Sequence, residues 1–250
     1  MVIAVGDGAF IPELATRSKL QVIGIDTDPK RIATLREHSI ASGIYGALGK
    51  DPDGMGAVSL QEVDSFEALP FVDGIFNLIT VEDASTTPDA EVKRLLRPWD
   101  GLAVVGSREI RSDPPKGAGS WTHAHADPGN SAASREEEVG GAMRLRWFGR
   151  PGPEKIVDRH LRAPPPLAAG GYLLVPGRDH LFALDSHNGA MLWEREIPGL
   201  MRASMLRDCG NLALDPVAKR VFATGGAKCL VIDADSGKTD RPFVDRRPHD

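Results

Sequence analysis

The stretch Phe182-Ala-Leu-Asp185-Ser-His-Asn-Gly189-Ala-Met-Leu-Trp193 decides how the second half of this chain folds. An apolar run ends in aspartate, Asn-Gly follows, and a second apolar run ends in tryptophan. Asn-Gly between apolar runs is a strong hairpin signal, because both residues tolerate the left-handed backbone of a tight turn. Upstream, Gly171-Tyr-Leu-Leu-Val175 reads as the hairpin partner of His180-Leu-Phe-Ala-Leu184, across Pro176-Gly-Arg-Asp179. Downstream the cycle returns in Arg220-Val-Phe-Ala-Thr224, Gly225-Gly226, Cys229-Leu-Val-Ile-Asp233 and Ser236-Gly237. The element Asp185-x-x-x-Gly189 recurs as Asp233-x-x-x-Gly237, 48 residues on. A repeat of that size predicts small sheets stacked as blades around an axis. Leu145-Arg-Trp147-Phe148 reads as a further β-type run.

Working outward, Trp121-Thr-His123-Ala-His125-Ala-Asp127-Pro-Gly-Asn130 reads as a lead-in to these blades. His123, His125 and Asp127 are residue types that can bind zinc or iron. The reading preferred here is hydrogen bonding within a loop, with no metal. Residues 107–120 are rich in Gly, Pro, Ser and charge, which predicts a linker. The domains are therefore expected at 1–106 and 121–250.

Residues 1–106 follow another rule. Val2–Val5, Leu20–Ile25, Val58–Val63, Gly74–Val81 and Leu102–Val105 are apolar runs, and helical patterns separate several of them. Pro29 suits the first turn of one such helix. Strands alternating with helices predict a parallel, Rossmann-like sheet covered on both faces. Its chemistry is expected at the strand ends. The turn Gly6-Asp7-Gly8 after the first strand lets a ligand approach the backbone. Asp26, closing the second strand, is placed to accept hydrogen bonds from ribose hydroxyls. Asp64, closing the third, is a candidate for an adenine amino group.

In that order, Val2-Ile-Ala-Val-Gly-Asp-Gly8, Val22-Ile-Gly-Ile-Asp26, Leu69-Pro-Phe-Val-Asp73 and Leu95-Leu-Arg-Pro98 resemble the motifs of class I S-adenosylmethionine-dependent methyltransferases. The resemblance implies S-adenosylmethionine as cofactor, held through Gly6, Asp7, Gly8, Asp26 and Asp64. The chain departs from the family in several places. Ala4 replaces the first glycine of the pattern, 49–56 is an insertion, and linker composition stands where an antiparallel strand pair completes the family's sheet. No catalytic residue is assigned, since Glu82-Asp83 after the fourth strand supplies only acids.

Asp185, Gly189 and Trp193, with Asp233 and Gly237, resemble the pyrroloquinoline-quinone-like β-propeller repeat of quinoprotein alcohol dehydrogenases. The second repeat has Asp240-Arg-Pro-Phe243 where the tryptophan is expected. The resemblance implies the fold, and no quinone is expected. Certain large bacterial proteins join a methyltransferase-like unit, a Trp-Thr-His…Asp-Pro-x-Asn lead-in and a long propeller, and this chain resembles a fragment of them. Two blades leave strand edges unpaired, so further blades or a protein partner are expected.

The net charge of −5 gives no electrostatic case for nucleic acid or an anionic membrane. Two cysteines, Cys209 and Cys229, are too few for a disulfide framework. No signal peptide or long apolar span is visible, which reads as cytoplasmic. The expected function is that of a binding or scaffold protein whose methyltransferase-like domain is inactive. A methyltransferase of unknown acceptor is the alternative, and a quinone-dependent oxidoreductase a weaker one.

Overall fold

The computed structural model describes residues 1–18, 20–45, 58–137, 139–141, 145–149, 151–156, 165–200, 211–225 and 228–242. The chain divides into two compact units, Met1–Asp113 and Pro114–Asp250. Cys209 and Phe243, which figured in the sequence reading, lie outside the described residues.

The first unit runs β1 (Val2–Ile3), α1 (Phe10–Arg17), β2 (Val22–Asp26), α2 (Pro29–Ala41), β3 (Val58–Glu62), β4 (Leu78–Val81), α3 (Asp89–Leu95), β5 (Leu102–Val105) and β6 (Arg108–Arg111). The strands form one sheet in the order β3-β2-β1-β4-β5-β6. All neighbours are parallel except β5 and β6. Successive residues of a strand face opposite sides, and β1 shows the result. Val2 joins Ile11, Val22, Ile32, Val58 and Leu60 in a core that includes residues of α1 and α2. Ile3 joins Ile25, Ile79, Val92, Leu95 and Val105 in a second core with α3. Each fully buried Ile or Leu contributes about 1.5–3 kcal/mol over an exposed one. Asp28 fixes the start of α2, accepting from Lys30 N and Arg31 N ahead of Pro29 at the first turn.

Two expectations are corrected in this unit. The first strand stops at Ile3 instead of Val5, because Ala4 has φ 55, outside the strand region. The stretch read as a linker from 107 is not one at its start. Gly106-Ser107 makes a tight turn, and β6 pairs back along β5 from Val105↔Arg108 to Leu102↔Arg111. Ile110 supplies its buried side chain.

A charged clamp holds the segment Leu69–Asp73 against α3. Glu91 Oε1 accepts from Leu69 N at 2.7 Å. Arg94 donates to Leu69 O (3.0 Å), Phe71 O (2.8 Å), Asp73 and Glu91. The Arg94 hydrogen bond, with Leu69 N adding to it, holds the Glu91 carboxyl below its ordinary value of 4.5. A lowered folded-state pKa means stability that is present above the ordinary value and lost as pH falls through the lowered one. The first unit should therefore lose stability below about pH 4.5, and Glu91→Gln should lessen that acid sensitivity. Thermal unfolding from pH 3 to 7 checks this, and identical pH slopes for the two proteins would exclude the clamp as the cause.

The second unit contains β7 (Leu167–Ala169), β8 (Tyr172–Pro176), β9 (His180–Asp185), β10 (Met191–Glu196), β11 (Leu212–Asp215), β12 (Arg220–Gly225), β13 (Lys228–Asp233) and β14 (Thr239–Pro242). They form two four-stranded antiparallel sheets, β10-β9-β8-β7 and β11-β12-β13-β14. A shared core joins them, with Leu174, Leu181 and Ala183 from one sheet and Leu214, Val221, Ala223 and Ile232 from the other.

The repeat seen in the sequence is a repeated contact. Trp193, on β10, donates from Nε1 to Ala234 O at 2.7 Å. Its ring lies over Gly237, whose φ is +70 and whose added Cβ would stand 2.7 Å from the indole. Trp147 does the same one sheet earlier. Its Nε1 donates to Ser186 O at 3.1 Å, and its ring covers Gly189 at φ +72. Both turns are built alike. Asp185 Oδ1 accepts from His187 N and Asp233 Oδ1 from Ser236 N. Gly189 N and Gly237 N close the loops onto the carbonyls of Asp185 and Asp233. Residues 145–148, read as a β-type run, carry Trp147 but are not part of a sheet. No helix among the described residues is long and apolar enough to cross a membrane.

Candidate functional site

The order of strands in the first sheet reverses at β1, which lies between β2 and β4. In open α/β sheets such a reversal opens a crevice at the carboxyl ends of the strands, and ligands bind there. The register sets which residues reach it. Ile3 is paired with Ile25 on one side and with Val81 on the other. One step further along stand Ala4, Asp26 and Glu82. Asp26 is in turn paired with Glu62, and Val63 N donates to Asp26 O at 3.0 Å. Asp64 follows, exposed, just past the end of β3.

The glycine turn reaches the crevice through an unusual backbone. Ala4 (φ 55), Gly6 (φ 54) and Gly8 (φ 76) all lie in the left-handed region. Ala4 thus keeps the conformation glycine favours, at the place where the resemblance calls for glycine. Gly8 N donates to Val5 O at 2.8 Å, and Ala9 N to Asp7 Oδ1 at 3.0 Å. The two glycines face different neighbours. A Cβ on Gly8 would stand 2.0 Å from Leu35 Cδ2 on α2, so its bareness lets the helix approach. A Cβ on Gly6 would stand 2.6 Å from Glu82 Oε2, so the carboxylate of Glu82, the residue after β4, lies over the turn.

Asp26 is buried, yet its carboxylate is engaged. Oδ1 accepts from Asp28 N at 2.9 Å, and Oδ2 takes an ion pair with Arg31 at 2.9 Å. The bond to Asp26 raises Arg31 above its ordinary value. A carboxylate oxygen has lone pairs for more than one donor, so this engagement orients Asp26 while leaving acceptor capacity. Asp83, beside Glu82, accepts from Ser85 N and Ser85 Oγ at 2.9 and 2.7 Å, which holds it below the ordinary carboxylate value.

The structure brings Asp7, Gly6, Gly8 and Asp26 to one edge, with Asp64 on the neighbouring strand end. It also adds a residue that the sequence reading passed over as a bare acid, Glu82. A cavity of about 160 Å³ lies beside the turn, lined by Asp7, Gly8, Ile11, Leu35, His38 and Ser39. It is smaller than the roughly 300–1,000 Å³ of drug-sized sites.

In the second unit a shallow cavity of about 190 Å³ is lined by His123, Asn130, Asn211, Phe222 and Thr224. His123 Nδ1 is hydrogen-bonded to Thr122 Oγ1 at 2.9 Å. Asp127 accepts from Ser131 N and Ser131 Oγ. His123, His125 and Asp127 are therefore not gathered around a common point, and no three metal-ligating residues cluster among the described residues.

No protein-family model matches the sequence, and no curated protein matches it. Among solved structures, a protein assigned as a sarcosine dimethylglycine methyltransferase from Galdieria sulphuraria is 19% identical, with TM-score 0.33 over 41% of this chain and 36% of that one. Quinohemoprotein alcohol dehydrogenase ADHIIG from Pseudomonas putida HK5 is 18% identical, with TM-score 0.37 over 52% of this chain and 19% of that one. BamB from Moraxella catarrhalis is 20% identical, with TM-score 0.24 over 31% and 22%. The chain thus spans well under two thirds of each of these proteins. Likenesses this slight carry no conclusion about activity.

Proposed function

We propose that this chain is a binding protein, in which propeller-type stacked sheets form a scaffold for an α/β unit that holds S-adenosylmethionine. The observation that carries the reading is the meeting of the glycine turn and Asp26 at the strand-order reversal. The residues fit the ligand's chemistry. Gly6 and Gly8 keep the turn bare enough for close approach. Asp26, oriented by Arg31 and Asp28 N, offers an acceptor to the ribose hydroxyls. Asp64, exposed on the next strand end, is the acceptor assigned to the adenine amino group. The scaffold reading assigns the second unit no quinone. Support for the scaffold reading is the twice-made tryptophan seat, in which an indole rests on a repeated glycine turn and donates to its main chain.

Methyl transfer is the second reading; the glycine-like backbone kept at Ala4 serves cofactor binding in both readings alike. When bound, the sulfonium supplies a methyl group activated for transfer. The chain's own residues hold and orient the nucleoside.

Calorimetry on the full chain tests the shared premise. S-adenosylmethionine should bind saturably. Asp26→Ala should weaken it by roughly 10- to 100-fold, the worth of hydrogen bonds to a charged group at about 1.5–3 kcal/mol. Absence of binding at millimolar ligand in a folded sample would falsify the premise. Release of S-adenosylhomocysteine on incubation with candidate acceptors would favour the second reading over the scaffold.

A further inference from the structure

The two tryptophan seats are alike in geometry and differ at one chemically important residue. Asn188 in the first turn stands where Ser236 stands in the second. Gly189 follows Asn188, so no side chain shields the peptide nitrogen between them. The asparagine side chain folds forward along the turn, its Oδ1 accepting from Ala190 N at 3.0 Å. That bond keeps the side-chain amide beside the Gly189 peptide group. It also places an N–H on the oxygen that gains charge when the amide carbon is attacked. The seat holds the nitrogen back. Gly189 N donates to Asp185 O at 2.9 Å. Trp147 Cε3 stands 2.3 Å from the point a Cβ on Gly189 would occupy. Arg146 Nε donates to His187 O at 2.7 Å, tying the same segment to the turn. Trp147, Asn188 and Gly189 are all only half-buried, so water lies close by.

We propose that Asn188 is a site of spontaneous deamidation guarded by Trp147, and that the reaction irreversibly dismantles the first tryptophan seat while the second is inert. When the indole lifts, the Gly189 N–H leaves Asp185 O and loses its proton to solvent. The nitrogen attacks Asn188 Cγ. The N–Cγ bond forms, the Cγ–Nδ2 bond breaks, and Nδ2 leaves as ammonia. Water then opens the cyclic imide, at Cγ to give aspartate or at the main-chain carbonyl to give isoaspartate. Nothing is oxidised or reduced, and water is the co-reactant. Isoaspartate adds a carbon to the main chain between residues 188 and 189, so the spacing that closes Gly189 N onto Asp185 O is lost. Aspartate puts a second negative charge in a turn that already holds the buried Asp185, and like charges there repel. Ser236 has no amide to react, and its Oγ donates to Asp233 Oδ1 at 2.6 Å. The joint between residues 145–149 and the sheet β10-β9-β8-β7 is therefore the one that ages. The reaction needs no cofactor binding by the first unit.

Peptide mapping by mass spectrometry tests this on the full chain, held folded at neutral pH and physiological temperature and sampled over time. The wild type should convert Asn188 far more slowly than the same chain unfolded in urea, with isoaspartate among the products. Trp147→Ala should raise the folded rate by about tenfold, because removing the indole eases local opening of the turn. Trp147→Phe keeps a ring and should fall between; it carries the comparison if circular dichroism shows the alanine variant unfolded. Asn188→Ser copies the second turn. It should yield no product and keep its hydrogen-exchange protection at 185–189, which the wild type loses as product accumulates. Equal rates in the folded and urea-unfolded wild type would overturn the guard, as would equal rates in the wild type and the folded tryptophan variants. So would a complete lack of conversion in all folded samples while the unfolded chain reacts. Loss of protection at the same pace in Asn188→Ser would show that deamidation is not what opens the seat.

Discussion

Trp193→Ala should destabilise the second unit by about 3–5 kcal/mol, the usual cost of truncating a buried large aromatic. Trp193 is 8% exposed and belongs to the core shared by both sheets. The substitution removes its packing over Gly237, its Nε1 bond to Ala234 O and the filling between two sheets at once. Trp193→Phe separates these terms. It keeps a ring but leaves Ala234 O without its donor, so it should cost less, with about 1 kcal/mol from the hydrogen bond. Trp147→Ala, at a half-buried position, should cost less than Trp193→Ala. Urea unfolding followed by far-ultraviolet circular dichroism, with hydrogen exchange to locate the loss in 165–242, measures all three. A loss under 1 kcal/mol for Trp193→Ala would show that the sheets hold together without the seat.

The first unit has its own sensitive point in Gly8. Gly8→Ala should cost about 2–4 kcal/mol, from two sources that act together. A left-handed φ of +76 strains any residue with a Cβ, by roughly 1–2 kcal/mol. The new methyl would also meet Leu35 Cδ2 at 2.0 Å, Cδ1 at 2.9 Å and Cγ at 3.0 Å. Rotation about the leucine Cβ–Cγ bond moves both methyls but leaves Cγ, 3.0 Å from the new carbon, in place. The remainder must come from movement of α2, a form of overpacking that costs about 1–3 kcal/mol. The double variant Gly8→Ala/Leu35→Ala should recover the steric part and retain the backbone part. The two changes therefore should not add. Strict additivity in chemical unfolding would mean that α2 does not rest on the turn.

Local pattern carried much of this fold. The alternation of strands and helices, the Asp28-Pro29 helix start and the hairpin from Tyr172 to Asp185 all follow from neighbours in sequence. The seat of Trp193 is not local, since its indole donates to a carbonyl 41 residues on. The elements that escaped notice are those with little apolar signal. β6 reads Arg-Glu-Ile-Arg, a sheet-edge strand with a single buried residue. β7 and β11 are short, and their inward side chains matter only once a facing sheet exists. The site divides in the same way. Gly6, Asp7, Gly8 and Asp26 belong to one β-turn-α-β segment and could be read together. Glu82 reaches the turn only because β4 lies beside β1 in parallel register, a pairing between residues far apart in the chain. No local pattern records that adjacency.

The tryptophan seat also bears on how such a chain tolerates rearrangement. Apart from one aspartate and one glycine, each seat is made of main chain: the indole donates to a carbonyl and rests on a residue without a side chain. Ser186 in one seat and Ala234 in the other serve equally, because neither side chain takes part in the indole contact. Excising 186–233 would bring Ala234 and Gly237 to the sequence distances from Trp147 now held by Ser186 and Gly189. A whole sheet could then be lost, or duplicated, with its joint to the next one still in frame. Seats of this kind make the sheets interchangeable parts, so recombination at the repeat length edits the number of sheets without redesigning any seam.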